Sequence, residues 1–258
     1  MTTAETTYTR AGGEEFKAAE RAMRTSLTPG LPAIVRLDGR AFHSYCRGLA
    51  RPYDQQFMDD MDQVAIALAQ EVDGVRVAYV QSDEISLLLT DRSPGAEERS
   101  GFMFGGQVQK LASISSALAS TVLNQRRYGV HTDTFGLFDA RVFSLPDLDA
   151  VRRYFQWRQG DARVNSLSML AESVFPSKKL IRVSSARRAA MLRDVGADPA
   201  DLPEAFVHGR VVLRRPVAAT TTFTHRGTGV KHTVEYVRRE HYSDVAPDFG
   251  GFDFAAAG

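Results

Sequence analysis

The sequence predicts an α+β fold whose elements run strand, helix, strand, strand, helix, strand. Three observations carry it. Residues 77–90 (VAYVQSDEISLLLT) place two apolar runs about a polar bend. An amphipathic stretch of helical period lies on each side of that hairpin. Short β-branched runs precede the first stretch and follow the second. This order is the split βαβ, ferredoxin-like pattern (βαββαβ), in which the first and third strands are central neighbours.

Each element has its own warrant. Residues 15–27 form a helix, broken by LTPGL at 27–31. Residues 33–37 (AIVRL) are a buried strand that stops at Asp38-Gly39. Phe57, Met61, Val64 and Leu68 mark one face of a helix over 54–71, with Asp54 as its N-cap. Gly74 ends that unit, and 75–80 and 85–90 are the hairpin strands. Residues 92–100 (RSPGAEERS) are an exposed loop. Val108, Leu111, Ser115, Leu118 and Val122 are the inward stripe of a second long helix, and 137–145 is the fourth strand. After Pro146 helical additions are expected at 147–159, 162–174 and 184–195. Strand-like pieces follow (VVLRRPV, TTTFT, HTVEYV), then a weakly ordered end, DFGGFDFAAAG. Three regions result: an N-terminal segment 1–30, a ferredoxin-like domain 31–145 and a C-terminal helical region 146–258.

Composition excludes several classes. The 258 residues carry a formal net charge of +1, so no global field points to a nucleic-acid partner. The single cysteine, Cys46, rules out an internal disulfide framework and a multi-Cys zinc site. It also fits a reducing, cytoplasmic setting, with Cys46 a bystander. No run has the length of a membrane span or a signal peptide, so a soluble, unexported protein is expected. His225, His232 and His241 lack the spacing of a metal site, and Tyr154 and Trp157 are expected in the core.

The acids carry the chemistry. Asp38 closes the first strand, and Asp83-Glu84 stand at the bend that feeds the third. With those strands adjacent, a carboxylate from each arrives at the same edge of the sheet. Like charges brought together repel, and desolvation raises the cost. A divalent cation offsets it, because hard oxygen ligands from separate elements suit Mg²⁺. Two carboxylates so placed are the layout of a polymerase palm with two metal ions. Asp is also common in turns, but Gly39 directly after Asp38 lets backbone approach a ligand. Successive strand residues face opposite ways, so Glu84 is expected to point away and orient a neighbour.

These residues resemble a known family. IVRLDGRAFHSY, then ARPYD, then AYVQSDEISLLL, then FDARVFSLPDLDAVRRYFQWRQGDARVNSLSMLA are similar, in order and spacing, to the tRNA-His guanylyltransferase family. These enzymes extend RNA in the 3′-to-5′ direction, and the resemblance spans roughly residues 15–216. It implies a nucleotidyltransferase using two Mg²⁺ ions, with GTP and ATP as substrates and tRNA as partner. Asp38 and Asp83 would be the metal carboxylates, with the Gly39 carbonyl a further ligand. Asp38, Gly39, Arg40, Ala41, Phe42 and His43, with Ser82 and Asp83, would form the nucleotide and triphosphate site. His43, Arg51, Lys110 and Lys17 match phosphate-contacting positions. Lys110 gains weight from lying beside Leu111 on an inward stripe, where an unpaired ammonium is costly. Arg152, Arg153, Asp161 and Asn165 are assigned to RNA binding and activation, and a homotetramer is expected by analogy.

Two departures from the eukaryotic pattern matter. Arg163-Val164-Asn165-Ser166 keeps only one of two Asn residues, and FGGQVQ precedes Lys110 where arginines are frequent. DARVNSLSML instead resembles the bacterial Thg1-like branch, which refills truncated tRNA 5′ ends against the opposite strand. Arginine pairs at 126–127, 152–153, 187–188, 214–215 and 238–239 suggest a local basic surface for RNA phosphates. Two other readings stay open: a palm-type nucleotidyl cyclase, and a non-catalytic ferredoxin-like RNA-binding protein.

Overall fold

A computed structural model describes residues 13–92, 100–130 and 134–257. The expectations for residues 1–12 and for most of the 92–100 loop lie outside the described residues. In chain order the elements are helix α1 (Glu14–Ala22), strand β1 (Ala33–Gly39), the single turn α2 (Phe42–Tyr45), helix α3 (Gln55–Glu71), strands β2 (Val75–Gln81) and β3 (Glu84–Leu89), helix α4 (Val108–Arg126), strand β4 (Phe138–Ser144), helix α5 (Leu148–Val174), the turn α6 (Ser177–Leu180), helix α7 (Ser185–Asp194), the turn α8 (Glu204–Val207), and strands β5 (Arg210–Thr224) and β6 (Lys231–Val245).

The sheet order is β4-β1-β3-β2-β5-β6, with every neighbouring pair antiparallel. Its first four strands have the predicted ferredoxin-like order, and β1 and β3 are central neighbours. Helices cover both faces of these strands, which explains why β2 and β3 read as nearly continuous apolar runs. Ala33, Val35 and Leu37 of β1 pack with Met61, Val64 and Leu68 of α3 and Leu111, Ala119 and Leu123 of α4. Ile34, with Val77, Tyr79 and Leu88, packs on the other face against Val151, Tyr154 and Phe155 of α5. Asp54 caps α3 as expected, its carboxylate accepting from the Phe57 N–H at 2.8 Å.

The C-terminal half departs from the expectations in four ways. The helices expected at 147–159 and 162–174 are one helix of 27 residues. A single Gly160 costs about 1 kcal/mol in a helix, and burial of Arg158, Gln159 and Ala162 around it outweighs that. The strand-like pieces of the tail merge into a hairpin of two 15-residue strands. Its base pairs Ala78 with Val212, continuing the sheet, while its outer half is exposed. The supposedly loose end is packed: Phe249 and Phe254 are buried against Phe155, and Phe249 also meets Tyr79. Trp157, expected in the core, is 54% exposed and carries the Arg158 guanidinium on its face at 4.2 Å; Tyr154 is buried and hydrogen-bonded to Ser86 at 2.9 Å. Leu170 and Ala171 of α5 hold α6 and α7 through Leu180 and Leu192. No helix among the described residues is long and apolar enough to cross a membrane.

Candidate active site

The end of β1 and the β2–β3 bend are tied together by backbone. The Gly39 N–H donates to the Asp83 carbonyl at 3.2 Å, and the Arg40 N–H donates to the Leu137 carbonyl at 2.8 Å. Ala41 (φ 56°) and Ser82 (φ 48°) both adopt the left-handed region. Such conformations cost about 1–3 kcal/mol for residues with a Cβ, and they persist where surrounding structure imposes them. Here both flank the same point. Phe42 anchors the β1 exit, its ring 4.9 Å from Tyr45, 5.1 Å from Phe138 and 6.1 Å from Phe57. A Cβ on Gly39 would stand 2.7 Å from Asp83 Oδ2 and 2.5 Å from the Phe42 ring. Glycine is therefore required by close approach: the Asp83 carboxylate lies directly against the Gly39 backbone.

Asp38 and Asp83 share one end of the sheet but leave from opposite faces. Asp38 belongs with Arg36 on the α5 face, 3.5 Å from the Arg36 Nη2 and 3.9 Å from the Arg141 Nη1. Asp83 lies toward α3. Burial pushes its carboxyl up, and the Asp38 charge pushes it further; its own backbone N–H and the Ser82 hydroxyl pull it back. Among the described residues no basic side chain pairs with Asp83. A half-buried carboxylate repelled by a second acid, with no counter-cation, is a donor set suited to Mg²⁺. The Gly39 backbone, kept bare of any Cβ, leaves room beside that carboxylate. The residues present thus fit a divalent cation.

Glu84 has the opposite environment. It faces α5 and is nearly buried. Arg36 meets its Oε2 through Nε at 2.9 Å and Nη2 at 2.7 Å, and the Arg158 Nε lies 2.8 Å from Oε1. Arg158 in turn pairs with Asp161 at 2.8 Å. The expectation that Glu84 points away and orients neighbours matches this placement.

A cavity of about 490 Å³ opens at this end of the sheet. Of the predicted residues, Gly39, Ala41, Phe42, His43, Arg51, Ser82 and Asp83 border it. Its apolar wall includes Phe57, Met58, Met169 and Phe206, none of them predicted as site residues; they come from three separate elements. Cys46 also borders it, with its thiol pushed up to about 12 by burial and then by the Asp83 charge, which disfavours the thiolate.

The remaining predicted residues do not border the cavity. Asp38 and Arg40 sit at its edge in sequence. Lys17 is exposed on α1 and paired with Glu14 at 2.8 Å. Lys110 is exposed, 5.9 Å from the Phe104 ring centre, so the inward-stripe argument for it fails: it sits one position round the helix from buried Leu111. Arg152 pairs with Asp149 at 2.7 Å, and Arg153 and Asn165 are exposed. The arginine pairs do not act alike. Arg126 and Arg127 are bound to buried Asp60 at 2.8 and 2.9 Å, and Arg188 bonds Ser168 at 3.0 Å and the Val183 carbonyl at 3.2 Å. Sequence reasoning passed over Arg36 and Arg158. Arg36 had a signal: it stands two residues before Asp38 on a strand, so on the same face.

Comparison with known proteins agrees with the motifs. The sequence profile of the tRNAHis guanylyltransferase (Thg1) family matches residues 13–146. A probable tRNA(His) guanylyltransferase of Drosophila melanogaster is 24% identical over 207 residues, covering 74% of this chain and 70% of that protein. A bacterial tRNA(His) guanylyltransferase (Thg1)-like protein solved in complex with ATP superposes with a TM-score of 0.73 at 34% identity, covering 78% of this chain and 87% of that one. Such a protein in complex with GTP gives 0.70 at 29%, covering 92% and 93%. The chain belongs to the tRNAHis guanylyltransferase family and is a nucleotidyltransferase.

Proposed function

We propose that this chain adds nucleotides to the 5′ end of tRNA in the 3′-to-5′ direction, with template-directed refilling of truncated ends as its main task. One observation carries the reading: Asp83, with no basic partner among the described residues, lies against Gly39 at the mouth of a nucleotide-sized cavity, close enough to Asp38 at the same sheet end for that charge to push its carboxyl up. Asp38, Asp83 and the Gly39 carbonyl would hold Mg²⁺, two ions in all, which when bound supplies charge neutralisation at the phosphates and acidifies an attacking hydroxyl. ATP and GTP are the proposed substrates, supported by the bacterial relatives that hold them.

The side chains divide the remaining work. His43 and Arg51 reach into the cavity and contact the triphosphate, and the Phe57, Met58 and Phe206 wall receives the base. Arg40, Lys17 and Lys110 are exposed cations for the triphosphate or the RNA 5′ phosphate; the exposed Lys17–Glu14 pair is weak enough to open. Asn165 lies one helical turn beyond Asp161 on α5, and both, with Arg152 and Arg153, are assigned to the activated RNA end. A 5′-monophosphate is first joined to a nucleoside monophosphate with release of pyrophosphate. The 3′-hydroxyl of the incoming nucleotide then loses its proton and attacks the RNA 5′ phosphate, forming the new phosphodiester and displacing the nucleoside monophosphate. Both steps are in-line phosphoryl transfers, which positioning and charge neutralisation serve.

The RNA body needs a separate surface. Residues 173–193 carry Lys178, Lys179, Arg182, Arg187, Arg188 and Arg193 and no acid. Lys178, Lys179, Arg182 and Arg187 are exposed, and Arg182 is held out by a left-handed backbone (φ 59°). This ridge follows directly after Met169 and Glu172 of the cavity wall. We place the tRNA backbone there. The DARVNSLSML segment favours refilling over selective G addition. A homotetramer and a cytoplasmic setting are kept as expectations, the first from the family and the second from the single cysteine.

The test supplies Mg²⁺, all four NTPs and a 5′-truncated tRNA, with tRNA-His in parallel. Extension that follows the opposite strand is expected. Extension of neither RNA overturns the reading, and a cyclic product from GTP alone would favour a cyclase.

A further inference from the structure

Glu84 is more than a satisfied buried acid, because of what its partner touches. The Arg36 guanidinium lies between two carboxylates. Its Nη2 is 2.7 Å from Glu84 Oε2 and 3.5 Å from Asp38 Oδ2. Asp38 and Glu84 are register partners across β1 and β3, so both side chains project from the same face. Arg36 is therefore shared, but unequally, with two of its nitrogens within 3 Å of Glu84 Oε2 and the longer contact to Asp38. Arg158, held by Asp161 on its other side, pins Glu84 from α5. Arg141 is the second cation near Asp38, at 3.9 Å and exposed.

From this geometry we infer that Glu84 is a positioning residue that holds the Arg36 guanidinium away from Asp38, so that the Asp38 carboxylate stays available to a divalent cation. The inference rests on the proposed metal role of Asp38 and Asp83. Its logic is competition: a guanidinium and a divalent cation seek the same carboxylate oxygens. If the Glu84 charge is removed, the nearest acid left to Arg36 is Asp38. Arg158 still has Asp161. A full Arg36–Asp38 pair would then exclude the cation that Asp83 also needs.

The prediction is a double-variant cycle read on cation binding alone. Mn²⁺ is titrated into the protein without nucleotide or RNA, and free Mn²⁺ is followed by its EPR signal. Wild type should bind Mn²⁺, and Asp83→Asn should abolish that binding. If it does not, the metal reading itself fails, whatever Glu84 does. Glu84→Gln should weaken Mn²⁺ binding about tenfold or more. Glu84→Gln with Arg36→Gln should regain most of the loss, because the competing cation is gone. A purely structural role for Glu84 predicts the reverse: the second substitution deepens the damage. Glu84→Gln binding Mn²⁺ as wild type does, or the double variant staying as weak as the single one, overturns the inference while leaving the metal reading intact. Should Glu84→Gln not fold, Arg36→Gln alone is decisive. It leaves Glu84 paired with Arg158 and should bind Mn²⁺ at least as tightly as wild type; weaker binding overturns the inference.

Discussion

Asp83 and Glu84 are consecutive residues, and the sheet gives them opposite fates. Asp83 lies toward α3 against bare Gly39 backbone, with no basic side chain paired to it among the described residues. Glu84 faces α5 between two arginines. Asp83 is half-buried and Glu84 buried, and desolvation weighs on both carboxyls, so burial does not explain their different roles. The supply of counter-charge does. Where the protein furnishes arginines, the acid is architecture. Where it furnishes only a second acid, the carboxylate is left open to the proposed Mg²⁺.

The largest effect should come from breaking the satisfied side. Glu84→Ala leaves buried Arg158 and half-buried Arg36 without their shared anion and should destabilise the protein by about 3–5 kcal/mol in chemical denaturation. A loss under about 1 kcal/mol would mean that the two acids differ less than their contacts indicate.

Next is the unsatisfied side. Asp83→Asn should reduce nucleotidyl transfer by about 10²- to 10³-fold, the scale of losing a key electrostatic group at a reaction centre. The same change should raise stability at neutral pH. The sign follows from linkage: the folded-state carboxyl titrates above its ordinary value, so folding favours its protonated form. The stability it lends is present at acid pH and is lost as pH rises from that ordinary value through the folded-state one. Denaturation between pH 3 and pH 8 should show a smaller fall with rising pH in Asp83→Asn. Equal pH slopes in the two proteins would contradict the missing counter-charge.

Gly39→Ala sharpens the contact that separates the two faces. Its Cβ meets both Asp83 Oδ2 and the Phe42 ring, so about 1–3 kcal/mol of stability should be lost together with activity. The smallest effect on the fold belongs to the ridge. Replacing Lys178, Lys179, Arg182 and Arg187 by Ala should leave the melting temperature within a degree or two. It should weaken tRNA binding and flatten the slope of log affinity against log salt by about 3. An unchanged slope would move the RNA surface elsewhere, and the outer half of the β5–β6 hairpin, with Arg226, Lys231 and Arg238, would be the next place to test.

Much of the catalytic half was legible. The alternation and spacing around Asp38 and the SDE bend place two acids at one end of a ferredoxin-like sheet, because strand period and turn chemistry are local properties. The arginine pairs show where locality ends. Arg126-Arg127 and Arg187-Arg188 look alike in sequence, yet Arg127 is sealed against Asp60 while Arg187 is exposed. Gly160 and the Phe-rich tail were misleading for the same reason: a helix continues through glycine, and a Gly-containing end becomes core, when distant partners cover them.

The sequence by itself determined the family, the order of the first four strands, and the arrival of Asp38 and Asp83 at one end of the sheet. Only the tertiary structure decided which face each acid takes, which arginines neutralise Glu84, and that Lys110 is exposed. Strand and helix periods are written in nearest neighbours along the chain. Counter-charge and close approach depend on atoms from elements far apart in sequence, and those meet only after the chain has folded.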